Sequence, residues 1–132
     1  MNFDRKYLVW ALGYLIAGMG VGLYMAASKN HAQLVAHAHI LMVGFAVSFI
    51  YGIIHRLWLQ PPSKALAMTQ FVLHQAAAIA MCTGLLLLYG GVLPESTLTP
   101  LLGAGSVGVL LAALLMIWLV RQSSRAEFAT SR

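Results

Sequence analysis

The stretch LVAHAHILMVGFAVSFIYGIIHRL, residues 34–57, decides the fold. It contains no proline and no acid, and its one basic residue besides histidine, Arg56, stands next to its end. About 20 apolar residues cross the hydrocarbon core of a bilayer as an α-helix, and this run is long enough. Three other runs match it, at residues 7–27, 65–89 and 98–120. Backbone polar groups in lipid have to be satisfied internally, and segments of this length do so as helices rather than as barrel strands. The composition agrees, with 61% hydrophobic residues, 8% charged residues and a mean hydropathy of +0.83. A soluble domain carries about 25% charged residues. The expected fold is all-α: one integral membrane domain over residues 1–132, built as a bundle of four transmembrane helices.

Charge sets the expected orientation. Four spans put both chain ends and the middle loop on one side, which gathers Arg5, Lys6, Arg56, Lys64, Arg121, Arg125 and Arg132. The other side holds Lys29 and Glu95. The positive-inside bias then predicts cytoplasmic termini, with His31, His37 and His39 near the outer face. Anionic headgroups account for the net charge of +5 without any nucleic acid. Arg5 and Lys6 before the first run, and Ala26, Ala27 and Ser28 after it, have the look of a signal peptide. Its apolar core is longer than the roughly 7–15 residues of such peptides, so it is expected to stay as a span. Cys82 lies alone in the third run, where it forms no internal disulfide and no covalent haem motif and reads as a small buried residue.

The loops are short. Ser28 to Gln33 is polar, Gln60-Pro61-Pro62-Ser63 breaks the chain with Ser63 placed to cap the next helix, and Gly90-Gly91 closes the third helix before Pro94 to Pro100 leads into the fourth. The polar tail from Arg121 onward is expected to fray. Gly18 and Gly22, and Ala104 and Gly108, have the four-residue spacing that lets membrane helices approach closely. No strand–turn–helix context surrounds Gly18 to Gly22, so they are not a nucleotide fingerprint.

His37 and His39 carry the functional question. A helix turns about 100° per residue, so residues two apart point roughly 200° apart. The two imidazoles therefore cannot converge on one ion and must serve sites on opposite flanks of one helix. A lone bundle would leave one of them facing lipid, whereas a ring of copies gives each histidine an interface, with heterologous contacts closing in cyclic symmetry. Steps of three and four from His37 pass Leu41, Gly44, Ser48, Gly52 and His55, a small and polar stripe that should face protein or a flat group between helices. Two neutral imidazoles flanking an apolar slot suit six-coordinate haem iron, here of b type. Copper also accepts imidazole but needs further ligands, and zinc lacks its usual thiolate or acidic partners. The expected cofactor-binding set is His37, His39, Gly44 and Ser48, with His37 and His39 on the metal. His74, flanked by Gln70 and Gln75 near mid-membrane, is a further functional candidate, as any intramembrane ionisable group is. At about 1.5 Å per residue it is too deep to share the site of His37 and His39. His31 reads as solvated and His55 as interfacial. No acid lies inside a span, which argues against a carboxylate-based transporter.

Leu34-Val35-Ala36-His37-Ala38-His39, followed by Gly44, Gly52 and His55, resembles a haem-ligand helix of the haem–copper oxidase catalytic subunit. In that family a His-x-His pair splits its histidines between two haems. Ala36-His37-Ala38 is similar to the Ala-His-Ala of a second family helix, which supplies the other ligand of the low-spin haem. The family's helices form three arcs of four, and this chain resembles one arc. The resemblance implies a homotrimer in a bacterial-type cytoplasmic membrane, with haem b held at each interface by His37 of one copy and His39 of the next. Beyond residues 34–57 the likeness is one of topology only. The family's copper site needs a His and Tyr spaced four apart and a His-His pair, and neither is present, so oxygen reduction is not implied.

The function expected is that of an electron-transfer protein, a cytochrome b related to haem–copper oxidase subunit I that exchanges electrons with quinol or a periplasmic carrier. The alternatives are a haem- or copper-binding module that senses gas or redox state, and a cofactor-free assembly subunit of a respiratory complex.

Overall fold

The computed structural model describes residues 1–59 and 63–130, with side chains described to residue 123. The Gln60-Pro61-Pro62 breaker and the side chains of Arg125 and Arg132 lie outside the described residues. The architecture is four helices: α1 (Phe3–Ser28), α2 (Leu34–Leu57), α3 (Lys64–Tyr89) and α4 (Glu95–Thr130). All four are long and apolar enough to cross a membrane, and no strand occurs among the described residues.

The helix ends follow local chemistry. α1 stops where Lys29 takes a left-handed conformation (φ 54°), and α3 stops at Gly90 before Gly91 (φ 67°), the conformation glycine tolerates best. Ser63 does stand just before α3, but its hydroxyl makes no capping bond. The fourth helix corrects two expectations. It starts at Glu95, so Pro100 lies within it, and it continues to Thr130 instead of fraying after Arg121.

α1 packs along α2, and α3 packs along α4. The two hairpins meet where α2 leans on α3, the most buried helix. α1 and α4 share no extended backbone contact among the described residues, and their side chains meet near the basic end in a cluster of Tyr7, Tyr51 and Met116. Large apolar side chains such as Ile16 and Leu23 on α1 and Leu110 and Leu114 on α4 point outward. Lipid accepts such a surface, whereas water would not. Exposed Trp58 and Trp118 sit toward the basic end, with Tyr24 and Tyr89 toward the other, as interfacial aromatic belts do.

The α3–α4 seam is closed by small residues, in a register different from the expected one. Gly105, Gly108 and Ala112 are buried against α3, while Ala104 is exposed. A Cβ on Gly105 would lie 2.9 Å from the backbone nitrogen of Met81, and one on Gly108 would lie 2.7 Å from Cβ of Ala77. Nothing lies within 4 Å of a Cβ on Gly103. Gly105→Val is therefore expected to destabilise the protein by about 1–3 kcal/mol through overpacking. Gly103→Ala should be neutral or stabilising by roughly 0.5–1 kcal/mol. Thermal unfolding of both variants in detergent checks the contrast.

Candidate cofactor site and the buried polar column

The chemistry of α2 starts from its turn geometry. From Ile40 to Ala46 the helix is wound with i→i+5 hydrogen bonds, including Val47 N–H to the Met42 carbonyl. Such wide turns recur at functional positions. Here the widening has a visible effect. Ala36, Ile40, Gly44, Ser48 and Gly52 are buried at successive four-residue steps, with Tyr51 buried beside the last of them. In a regular helix each four-residue step overshoots a full turn by about 40°, and the stripe would wander off the protein face. The wider segment takes up that drift.

Above this segment, His37 and His39 diverge as their spacing requires. His37 is half-buried against α1, and its Nδ1 donates to the Gly18 carbonyl at 2.8 Å. Gly22 makes room for the ring, since a Cβ there would lie 3.0 Å from His37 Cε1. The Gly18–Gly22 pair, expected to bring two helices together, is thus also the seat of an imidazole. His39 is half-buried too, and its Nδ1 donates to the Val35 carbonyl of its own helix at 2.9 Å. A carbonyl only accepts, so both rings carry their proton on Nδ1 and, when neutral, a lone pair on Nε2. Neither Nε2 has a hydrogen-bond partner among the described residues. That is the tautomer and orientation in which proteins hold metal-ligating histidines. The two rings are anchored on different elements. Among the described residues no three His, Cys, Asp or Glu side chains converge on a metal position.

Gly44 and Ser48, expected in the cofactor-binding set, both pack against neighbouring helices. A Cβ on Gly44 would lie 2.5 Å from Tyr14 Cδ1, so the glycine accommodates a tyrosine of α1. Ser48 is fully buried against α3. Both face protein, within the one chain, and neither lines an open slot beside His37 or His39.

What Ser48 joins is a polar column through the centre of the molecule. The Tyr14 hydroxyl donates to Gln75 Oε1 (3.0 Å), Gln75 Nε2 donates to Ser48 Oγ (3.2 Å), and Ser48 Oγ lies 3.2 Å from His74 Nε2. Having received from Gln75, the serine hydroxyl keeps its own proton available for His74 Nε2, and the other ring nitrogen is Nδ1. That atom is buried without a partner among the described residues, and the Tyr51 ring packs edge-on to the imidazole at 5.0 Å. Beneath it the Tyr7 hydroxyl donates to Gln70 Oε1, and Gln70 Nε2 donates to the Ala112 carbonyl (3.3 Å). His74, expected to stand apart from His37 and His39, does so, at the hub of this column. His55 is held between Phe3 and Tyr7, with ring centroids 5.4 and 5.6 Å away. His31 is exposed and Cys82 is a free, buried thiol.

The three tyrosines were missed in the sequence, although a signal existed: Tyr7, Ala11, Tyr14 and Gly18 follow one face of α1 at steps of four, three and four. No protein-family model, no curated protein and no solved structure matches this chain.

Ser48→Ala would leave His74 Nε2 and Gln75 Nε2 without their shared partner in a site closed to water. It is expected to cost about 1–3 kcal/mol, read as a lowered unfolding midpoint in detergent. A midpoint equal to that of the parent would show that the column does not hold the helices together.

Proposed function

We propose that this protein is a membrane-bound b-type cytochrome whose haem lies between copies of the chain, with His37 of one copy and His39 of the next as axial ligands. The observation that carries the reading is the matched state of the two imidazoles. Each is oriented by a main-chain carbonyl at Nδ1, each leaves Nε2 without a partner, and they stand on opposite flanks of α2. The residues fit a bis-histidine haem in donor type, tautomer and partial burial. The anchoring of the two rings on different carbonyls, on opposite flanks of one helix, supports assembly into a closed ring. The resemblance of residues 34–39 to a haem–copper oxidase helix is the support for three copies.

A bis-histidine haem exchanges single electrons and offers no open iron position for oxygen. The chain's own part is to fix the ring planes. The Gly18 carbonyl and the notch at Gly22 hold His37, and the Val35 carbonyl holds His39. Electrons would be exchanged with quinol or a periplasmic carrier, in a bacterial-type cytoplasmic membrane with both termini inside.

Protein purified after expression with ample haem precursor is expected to show a low-spin b-type spectrum, in oxidised and reduced forms, that is lost in His37→Ala and in His39→Ala. Co-expression of the two variants distinguishes the arrangement. Ligands from different copies restore about a quarter of the haem, since a random ring pairs an intact His37 with an intact His39 at one interface in four. Ligands from one chain restore none. A parent protein without Soret absorbance overturns the reading. If that protein co-purifies with a larger oxidase, it is an assembly subunit.

A further inference from the structure

At the end of the molecule that carries Arg5, Lys6, Arg56 and Lys64, a cavity of about 640 Å³ opens between the start of α1, the end of α2 and the start of α3. Its lining holds two buried polar atoms without a hydrogen-bond partner among the described residues. One is Asp4 Oδ1, a carboxylate acceptor. The other oxygen, Oδ2, faces Arg56 at 3.9 Å, a loose pair because the Arg56 side chain is 74% exposed and screened by water. The second atom is His55 Nε2, on an imidazole against which the Phe3 and Tyr7 rings stack; in the tautomer with its proton on Nδ1 it is a second acceptor. Lys6, Arg56 and Lys64 also line the cavity, as does Met1 with its terminal ammonium.

The charge pattern has two parts: an inner pair of polar atoms without partners among the described residues and an outer set of ammonium and guanidinium groups. A ligand that fits both needs several N–H donors at its tip and an anion a few bonds behind. A neutral diol such as a quinol would leave the cations unanswered. It would also sit 16 residues along α2 from His39, at about 1.5 Å each roughly 24 Å away. An anion alone would leave Asp4 and His55 unanswered. Phosphoethanolamine has both parts, and a cavity at the end of a membrane-spanning bundle meets that group as a lipid headgroup.

We propose that this cavity binds a phospholipid with a primary-amine headgroup. The ammonium donates to Asp4 Oδ1 and His55 Nε2, and the phosphate is drawn to Lys6, Arg56 and Lys64. Charge-assisted bonds of this kind discriminate strongly where the acceptors are already removed from water. The inference needs only the membrane placement of the helices and does not rest on the haem reading.

The test is native mass spectrometry of the detergent-purified full chain with phosphatidylethanolamine, its N-methyl and N,N-dimethyl forms, and phosphatidylcholine. The series keeps the charge and the phosphate while removing N–H donors one at a time. Affinity is expected to fall stepwise, by about tenfold or more over the series. Asp4→Asn should remove most of that preference, leaving phosphatidylcholine binding within about twofold of the parent, and Lys64→Ala should weaken all four lipids alike. Equal binding of the first and last lipids by the parent overturns the proposal, as does a preference that survives Asp4→Asn. Soluble phosphoethanolamine that displaces the lipid at equal concentration would overturn the lipid as the source of the group.

Discussion

The wide turn between Ile40 and Ala46 is the constraint on which the rest of the structure depends. It lets α2 present one continuous buried stripe to its neighbours. At the top of that stripe Ala36 and Ile40 face the protein, which leaves His37 and His39 on the two flanks. At the bottom the same face brings Ser48 to His74 and Gly52 to the backbone of α1, where a Cβ would lie 3.2 Å from the Asp4 carbonyl oxygen. A regular helix would rotate the lower half away from α3. The polar column would then lose the hydroxyl that links its glutamine to its histidine.

Membrane interiors make unsatisfied polar groups expensive, and the column shows how a chain with few charges manages this. Glutamine is the recurring joint because its amide accepts at one end and donates at the other. Gln75 bridges Tyr14 and Ser48, and Gln70 bridges Tyr7 and the Ala112 carbonyl. Each bridge ties three helices, α1, α3 and α2 through Gln75 and α1, α3 and α4 through Gln70, by neutral groups alone. The exceptions stand out against that order. His74 Nδ1 lies in the centre, and His55 Nε2 and Asp4 Oδ1 lie beside the cavity at the basic end.

The sequence was legible where a property belongs to one helix. The limits of α2 follow from its unbroken apolar run, and the opposed directions of His37 and His39 follow from the angle per residue. It was less legible where two helices decide together. Which small residues of α4 close the seam depends on what α3 presents at Ala77 and Met81, so Gly105 serves where spacing alone pointed to Ala104. Gly44 and Ser48 were visible as a stripe, but a stripe does not announce whether it meets a cofactor or the Tyr14 and His74 of neighbouring helices. The persistence of α4 past Arg121 was hidden because polar composition at a chain end reads as loss of structure.

That persistence has a mechanical side. Thirty-six residues of continuous helix make a rod about 54 Å long, against a hydrocarbon layer of about 30 Å. The excess projects mainly beyond the basic end, as an unbroken lever rigidly joined to the glycine seam and to the Ala112 carbonyl. The carbonyl that accepts from Gln70 Nε2 at the centre of the bilayer thus belongs to the same continuous helix as the projecting end.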